Sequence, residues 1–272
     1  MLDKIQSYYG FTKMPFGRDL APDQLHRHHS HAETVARLTW AITTRSMAVL
    51  TGEVGSGKTV CVRAALHTTD PSRYRPIYIP NPAIGTRGIH HQITLACGQI
   101  PRFHTGALLP QTADALAAEA AERGRTPILI VDEAHQLDHH QLESLRMLTS
   151  FDLDSTTCYA TVLVGQPTLR IKLKLGPLAA LDQRIAIRAH LAAMTRVETT
   201  SYIKHHLALA GRNSDTLFSD DAITLIHETS RGLPRTINNL ALSSLIATYA
   251  TGKGIVDQTA ARSAITEATA TP

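Results

Sequence analysis

The stretch over residues 52–59 contains the residue types that hold phosphate groups. It matches the pattern G-x-x-x-x-G-K-[ST] at every fixed position, with the sequence Gly52-Glu53-Val54-Gly55-Ser56-Gly57-Lys58-Thr59. Glycine lets backbone N–H groups turn towards an anion, and a helix that starts after the loop adds its positive end. We therefore expect the whole stretch to hold the phosphates of ATP, with Lys58 on the β- and γ-phosphates and Thr59 on Mg²⁺.

Two acidic residues follow an apolar run further along the chain. The run at 128–131 predicts a buried strand, and Asp132 and Glu133 stand at its end. We expect Asp132 to hold Mg²⁺ and Glu133 to orient and polarise the water that attacks the nucleotide. The alternative is a solvated strand end without a role in chemistry.

Apolar runs that alternate with helical stretches surround these residues. Strands are predicted at 47–50, 75–79, 128–131, 161–164 and 185–191. Helices are predicted at 60–67, 89–100 and 112–123, and along the stripe of Leu142, Leu145 and Leu148. This alternation predicts an α/β fold in which helices flank a central parallel sheet.

The pattern changes at about Thr195, after which no strand-like run follows. Four helices are expected there, the second capped by Ser219 and the fourth by Asp257. We therefore predict two domains: an N-terminal arm with a nucleotide-binding α/β domain over residues 1–194, and a small all-helical lid domain over residues 195–272.

The first thirty residues carry aromatic side chains and several histidines. The aromatics either cover a flat ligand or attach the arm to the core, and attachment is the commoner role. A metal site at His26, His28, His29 and His31 is not favoured, because no carboxylate or cysteine completes a known ligand set. Ser30 is expected to cap a helix, with Glu33 as its reciprocal partner.

Composition narrows the class of protein. The chain has 272 residues, a net charge of +4 and a pI near 9.1, a mild basic balance that permits a nucleic-acid partner. No window is apolar for long enough to predict a membrane span, and no signal peptide is found. The three cysteines are far apart without metal spacing, which favours reduced thiols and a cytoplasmic location.

Several motifs in this order give the chain a family resemblance. Together with the phosphate loop and the acidic strand end, they resemble the AAA+ ATPases and, among these, the ExeA-like family. That family includes general secretion pathway ATPases and the transposition helper ATPases related to TnsC, TniB and MuB. The motifs are Tyr8-Tyr9-Gly10-Phe11 with Pro15-Phe16, Val131-Asp132-Glu133-Ala134-His135, Val164-Gly165-Gln166-Pro167, Leu181-Asp182-Gln183-Arg184-Ile185 and Gly232-Leu233-Pro234-Arg235-Thr236-Ile237-Asn238.

The resemblance implies roles for three further residues. Gln166 matches the sensor 1 residue that detects the γ-phosphate, and Arg235 matches the sensor 2 arginine of the lid. Arg184 is the candidate for an arginine finger that reaches a neighbouring subunit's γ-phosphate, with Arg188 and Arg170 as alternatives. For each arginine taken alone, a surface ion pair is the commoner role.

The resemblance also implies partners. We expect a magnesium-dependent ATPase that assembles with itself, as a ring or filament, on double-stranded DNA without sequence preference and recruits a transposase. The alternative is a secretion ATPase that acts on protein partners without DNA, and a third possibility is a stand-alone ATP switch. The basic charge and the lack of a membrane helix up to Pro272 favour the first. Arg87, Arg102, Lys172 and Lys174 are the candidates for DNA contacts.

Overall fold

Five parallel strands form one sheet in this protein. The structure, a computed structural model, describes residues 2–17, 19–148, 157–212 and 216–270. The sheet has the order β2-β3-β4-β1-β5, and every neighbouring pair is parallel. Its strands are β1 Met47–Gly52, β2 Tyr74–Ile79, β3 Thr126–Val131, β4 Ala160–Gly165 and β5 Ile185–Leu191. The structure therefore confirms the five predicted strands.

Helices cover both faces of the sheet. The three inner strands, β1, β3 and β4, are buried at every residue, and their side chains alternate between two apolar cores. One core contains Val49 and Leu129, whereas the other contains Leu50 and Ile130. The helices are α2 His29–Thr43, α3 Lys58–His67, α4 Gly85–Ala96, α5 Thr105–Ala121, α6 His139–Leu148, α7 Pro167–Leu173 and α8 Ala179–Arg184, with short 3-10 helices at Ala134–Gln136 and Gly176–Leu178.

The chain divides into two compact units. The sheet unit comprises Ser30–Val54 and Lys58–Leu191, and the helical unit comprises Met1–His29, Gly55–Gly57 and Ala192–Pro272. The helical unit contains α1 Leu2–Tyr9, α9 Arg196–Leu209, α10 Asp220–Ser230, α11 Pro234–Ala250 and α12 Gln258–Ala270, and a 3-10 helix at Pro22–Gln24. The four helices predicted after Thr195 are thus confirmed.

Helix caps in the helical unit follow the sequence. The Ser219 hydroxyl accepts from the N–H of Ala222 at 3.1 Å, and the Asp257 carboxylate accepts from the N–H of Ala260 at 2.9 Å. A capping box that the sequence analysis missed begins α9, where Thr195 and Glu198 bind each other's backbone N–H groups.

The N-terminal arm packs within the helical unit, whereas the sequence prediction assigned it to the nucleotide-binding domain. Tyr9, Phe11 and Phe16 are buried in the core of the C-terminal helices. The Tyr9 hydroxyl donates to the Leu245 carbonyl at 2.8 Å, and the N–H of Thr12 donates to the Ala210 carbonyl at 2.8 Å. The arm aromatics therefore attach the arm to the core, which was the favoured alternative.

Three local predictions differ from the structure. Helix α2 begins at His29, so Ser30 does not cap it. The Glu33 carboxylate binds the Arg37 guanidinium one turn along, because a hydrogen bond to a charged group is stronger than one to a backbone N–H. Helix α4 covers 85–96 rather than 89–100. Helix α5 begins at Thr105 rather than at Thr112 and continues through Pro110, whose missing N–H did not stop it.

The described residues offer no sign of a membrane span, a metal cluster or a disulfide. No described helix has the length and apolarity needed to cross a bilayer. Within residues 2–17, 19–148, 157–212 and 216–270, no group of three or more His, Cys, Asp and Glu side chains is placed to hold a metal ion. All three cysteines are free thiols, and burial raises the pKa of Cys61 to about 12.

Candidate functional site

The glycine-rich loop joins the carboxyl end of β1 to the start of α3. Gly55 and Gly57 have φ values of 80° and 98°, a left-handed backbone that turns the chain sharply before α3. Lys58 is the first residue of α3 and is only 8% exposed. Its Nζ donates to the carbonyls of Gly52 and Glu53, both at 2.9 Å, and so lies over the loop. Ser56 is buried, whereas the Glu53 and Val54 side chains point to solvent.

The loop meets the end of β3 through Thr59 and Asp132. The Thr59 hydroxyl donates to Oδ2 of Asp132 at 3.1 Å, although the two residues are 73 positions apart. Asp132 is 6% exposed, and its other oxygen accepts from the N–H of Glu133 at 2.9 Å. A hydroxyl and a buried carboxylate are hard oxygen ligands of the kind that Mg²⁺ prefers, so this pair fits the ion.

Tyr78 completes the surroundings of Asp132 and was missed by the sequence analysis. Its hydroxyl donates to Oδ2 of Asp132 at 2.8 Å. Burial, followed by the carboxylates of Asp132 and Glu133, raises the pKa of Tyr78 to about 12. Its position near the carboxyl end of β2, the strand beside β3, was the one indication that the sequence offered.

Glu133 follows Asp132 in a left-handed backbone conformation, with φ 51° and ψ 32°. A residue other than glycine adopts this region only when its surroundings hold it there. The side chain is 41% exposed, and Oε2 lies 3.5 Å from Nδ1 of His135. The carboxylate is thus beside the buried Asp132 but accessible to water.

Gln166 lies at the carboxyl end of β4, the strand between β3 and β1. Its backbone N–H donates to Nδ1 of His135 at 3.4 Å, so His135 contacts both Glu133 and Gln166. Gly165 permits this approach, because a Cβ there would lie 3.1 Å from the backbone nitrogen of His135 and 3.0 Å from a Leu169 methyl. The end of β4 and the turn after β3 are therefore in direct contact.

Arg184 lies at the opposite end of β1 from the glycine-rich loop. It ends α8, immediately before Ile185, which pairs with Met47 at the amino end of β1. The loop follows the carboxyl end of that same strand, at Gly52. Five residue steps of a strand span about 17 Å, more than an arginine side chain can bridge.

The two alternative arginines differ in their partners. Arg188, on β5, forms an ion pair with Asp182 at 3.0 Å and also donates to its backbone carbonyl at 2.8 Å. Arg170, on α7, lines a cavity of about 170 Å³ together with Arg188 and His190. These contacts engage Arg188 within its own subunit.

Arg235 lies in the helical unit, in the first turn of α11. Its N–H donates to the Gly55 carbonyl at 3.2 Å, and a Cβ on Gly55 would lie 3.0 Å from the Arg235 Cβ. Gly232 shapes the preceding turn with φ 71°, and a Cβ there would lie 2.0 Å from the Met194 carbonyl oxygen. The structure therefore brings the Arg235 backbone to the middle of the glycine-rich loop.

The structure also corrects one of the candidate DNA contacts. The Nζ of Lys172 donates to the carbonyls of His135 and Leu137, at 2.6 and 2.7 Å. Lys172 thus holds the turn that follows β3, and its charge is used inside the fold. Arg87, Arg102 and Lys174 remain exposed.

Comparisons of the sequence identify a domain and a relative. Residues 41–173 match the family model described as AAA domain. Over 251 residues the chain is 32% identical to General secretion pathway protein A of Aeromonas hydrophila. The match covers 90% of this chain and 45% of that protein, so the chain spans about half the length of this relative.

Solved structures share the fold at low sequence identity. Cdc6p from Pyrobaculum aerophilum superposes with a TM-score of 0.72 at 17% identity, covering 96% of this chain and 70% of that one. The Aeropyrum pernix ORC2 protein gives 0.67 at 17% identity, with coverages of 94% and 72%. The Thermotoga maritima RuvB branch migration motor gives 0.60 at 21% identity, with coverages of 93% and 73%.

Proposed function

Because this chain is an AAA+ protein with a P-loop fold, we propose that it binds ATP and hydrolyses it to ADP and phosphate. The observation that carries the proposal is the 3.1 Å contact between Thr59 and Asp132. It joins the phosphate loop to the acidic strand end, and it sets Glu133 beside them. Phosphoryl transfer to water needs these three parts at one place.

Each residue then has a separate role. Lys58 leaves the loop carbonyls to contact the β- and γ-phosphates, which the loop N–H groups also hold. Thr59 and Asp132 hold Mg²⁺, which neutralises phosphate charge when bound. Glu133 takes the proton of the attacking water, and Gln166 contacts the γ-phosphate.

The proposal is tested by two variants with different expected losses. Lys58→Ala should lose ATP binding, whereas Glu133→Gln should keep binding and lose turnover, because one residue holds phosphate and the other activates water. Glu143→Gln, which removes a carboxylate on α6 instead, is the matched control. ATP affinity and phosphate release are measured for each. Wild-type turnover in Glu133→Gln would refute the role of Glu133.

We also propose that hydrolysis needs a neighbouring subunit. Arg184 lies about 17 Å along β1 from the loop of its own chain, so it can serve only the nucleotide of another copy. This arrangement joins different surfaces of two copies, which generates a ring or a filament. In this proposal the helical unit, which includes residues 195–272 and the N-terminal arm, acts as the lid, and the sheet unit is the nucleotide-binding part. Arg235 lets the lid respond to the nucleotide.

The proposed partner of this assembly is duplex DNA. Residues 71–113 contain no Asp or Glu, so Arg87 and Arg102 have no acidic residue close to them in the sequence. On the α4–α5 loop, Phe103 is 78% exposed, and the Arg87 guanidinium lies 5.5 Å from its ring centre. Arg102 is exposed beside them. Arginines and an exposed aromatic without acidic residues suit a nucleic-acid partner.

ATP dependence follows from avidity. A few arginine–phosphate contacts per subunit bind weakly, with a Kd of roughly 10⁻⁴ to 10⁻⁶ M at physiological salt. Subunits joined through ATP would present many such contacts on one duplex and bind cooperatively. Phosphate contacts carry no sequence information, so little sequence preference is expected. A cytoplasmic transposition helper that recruits a transposase is the biological role we propose, on the strength of the family resemblance.

Retention on duplex DNA tests the proposed DNA partner and the dependence of binding on ATP. Glu133→Gln should be retained with ATP, weakly with ADP and weakly without nucleotide, and retention should fall as salt rises. Arg102→Ala should make the slope of log affinity against log salt shallower by about 0.9 for each phosphate that the arginine neutralises. Arg262→Ala on α12 should leave the slope unchanged. Equal retention in all three nucleotide states would discard the ATP switch.

A secretion ATPase that acts on protein partners is the second candidate. The 32% identity with General secretion pathway protein A over 90% of this chain favours it. The two candidates differ in one measurement: no retention of Glu133→Gln on duplex DNA with ATP at low salt would favour the protein partner.

A further inference from the structure

Nδ1 of His135 lies between two groups that need opposite hydrogen-bond partners. Oε2 of Glu133 is 3.5 Å from this nitrogen, and the backbone N–H of Gln166 donates to it at 3.4 Å. A carboxylate needs a donor, whereas an N–H needs an acceptor. A single imidazole nitrogen is protonated or unprotonated, so it can satisfy only one of the two at a time.

The surroundings hold His135 at this position. Lys172 donates to the carbonyls of His135 and Leu137, at 2.6 and 2.7 Å. Gly165 lets the end of β4 approach the His135 backbone, where a Cβ would lie 3.1 Å away. The ring itself is 14% exposed. Lys172 and the end of β4 therefore hold the His135 backbone, and a displacement of Gln166 changes the partner available to Nδ1.

We propose that His135 is a positioning residue. Through it, the position of Gln166 at the end of β4 determines whether the Glu133 carboxylate is held or released. With the proton on Nδ1, the ring donates to Glu133 and holds its carboxylate. With the proton on Nε2, Nδ1 accepts from Gln166 and the carboxylate is released to bind the attacking water. When the ring changes from the first tautomer to the second, Nδ1 releases one proton to solvent and Nε2 takes up one proton from solvent.

This coupling would make hydrolysis depend on contact between Gln166 and the nucleotide. Gln166 directly follows β4, the strand that lies between β3 and β1, so movement at this strand end reaches Glu133 through Nδ1 of His135. The inference rests on the proposed function, because it requires Glu133 to activate water.

Kinetics of the full-length protein provide the first test. His135→Ala should lower kcat by about tenfold or more, part of what a well-placed general base contributes. KM for ATP should stay within about twofold, because His135 holds no part of the nucleotide. His135→Asn should recover most of kcat, since its amide can present either a donor or an acceptor near the Nδ1 position. His140→Ala, an exposed histidine on α6, is the matched control.

A double variant separates positioning from stability. In the Glu133→Gln background, His135→Ala should cause no further loss of residual turnover, because the carboxylate that it positions is gone. A merely structural role would instead lower turnover by the same factor in both backgrounds, and that outcome would overturn the proposal. Unchanged kcat in His135→Ala would do so as well.

Nitrogen NMR reports the switch directly. The ¹⁵N signals of His135, identified by their loss in His135→Asn, should show different Nδ1 protonation without nucleotide and with Mg²⁺ and a non-hydrolysable ATP analogue. The same Nδ1 state in both samples of a protein that hydrolyses ATP would overturn this inference alone. A wild-type protein that binds but never hydrolyses ATP would overturn the proposed function instead.

Discussion

Two inactive variants should restore each other's activity if Arg184 acts on the nucleotide of a neighbouring copy. Arg184→Ala keeps its phosphate loop and Glu133 but lacks the arginine. Glu133→Gln keeps the arginine but cannot activate water. Both keep Lys58, so both should bind ATP and assemble. In a mixed assembly, an Arg184→Ala subunit can receive the arginine of a Glu133→Gln neighbour and hydrolyse its own ATP.

The expected turnover of the mixture follows from the position of Arg184 and from the fractions of the two variants. Arg184 is about 17 Å along β1 from its own loop, so its side chain cannot serve the nucleotide of its own subunit. The contribution of such an arginine is on the order of 10³ in rate, or about 4 kcal/mol in activation free energy. In an equal random mixture, half of the subunits have Glu133 and half of those receive an arginine, so turnover should reach about a quarter of wild type when the arginine acts in trans.

The assay is phosphate release from mixtures at constant total protein. Turnover should peak at equal amounts and fall towards both pure variants, since it depends on the product of the two fractions. Arg188→Ala is the control, because Arg188 is already paired with Asp182 and should not be required. A mixture no faster than the sum of its separate components would refute the trans assignment of Arg184.

The other predictions concern the two units and the surroundings of Asp132. Gly232→Ala should lower the free energy of unfolding by at least about 2 kcal/mol, since φ is 71° and the new Cβ would clash with the Met194 carbonyl; an unchanged urea midpoint would contradict the clash. Tyr78→Phe removes the hydroxyl bound to Asp132 and should cost about 1 kcal/mol in the same titration. An unchanged free energy of unfolding would contradict this cost and show that water replaces the Tyr78 hydroxyl. Burial lowers the pKa of His206 from 6.5 to about 3, so its contribution to stability is complete above pH 6.5 and is lost as the pH falls towards 3. Unfolding measured from pH 7 to 4 should be less pH-dependent in His206→Phe, and identical slopes would refute this.

The strands and the phosphate loop could be predicted because their signals are local. An apolar run such as 128–131 predicts a buried strand whatever its neighbours are, and the glycines of 52–59 allow a turn that other residues resist. The caps at Ser219 and Asp257 are equally local, since each side chain binds an N–H three residues away.

Local patterns failed where two of them competed. Ser30 and Glu33 have capping-box spacing, but Glu33 binds Arg37 and the helix begins at His29. The first residues of the chain likewise carry no pattern that says which core they join. Their aromatic rings pack among the apolar side chains of the C-terminal helices, and the Tyr9 hydroxyl has its acceptor there, the Leu245 carbonyl.

The sequence by itself determined which residue types could handle a nucleotide: the loop at 52–59, the acidic pair Asp132 and Glu133, and the strands that carry them. Only the tertiary structure decided which of these meet. The order β2-β3-β4-β1 places Thr59 within 3.1 Å of Asp132, adds the Tyr78 hydroxyl, and sets His135 between Glu133 and Gln166. Strand order and register depend on packing between segments distant in the chain, and the periodicity of one segment carries no information about its neighbours.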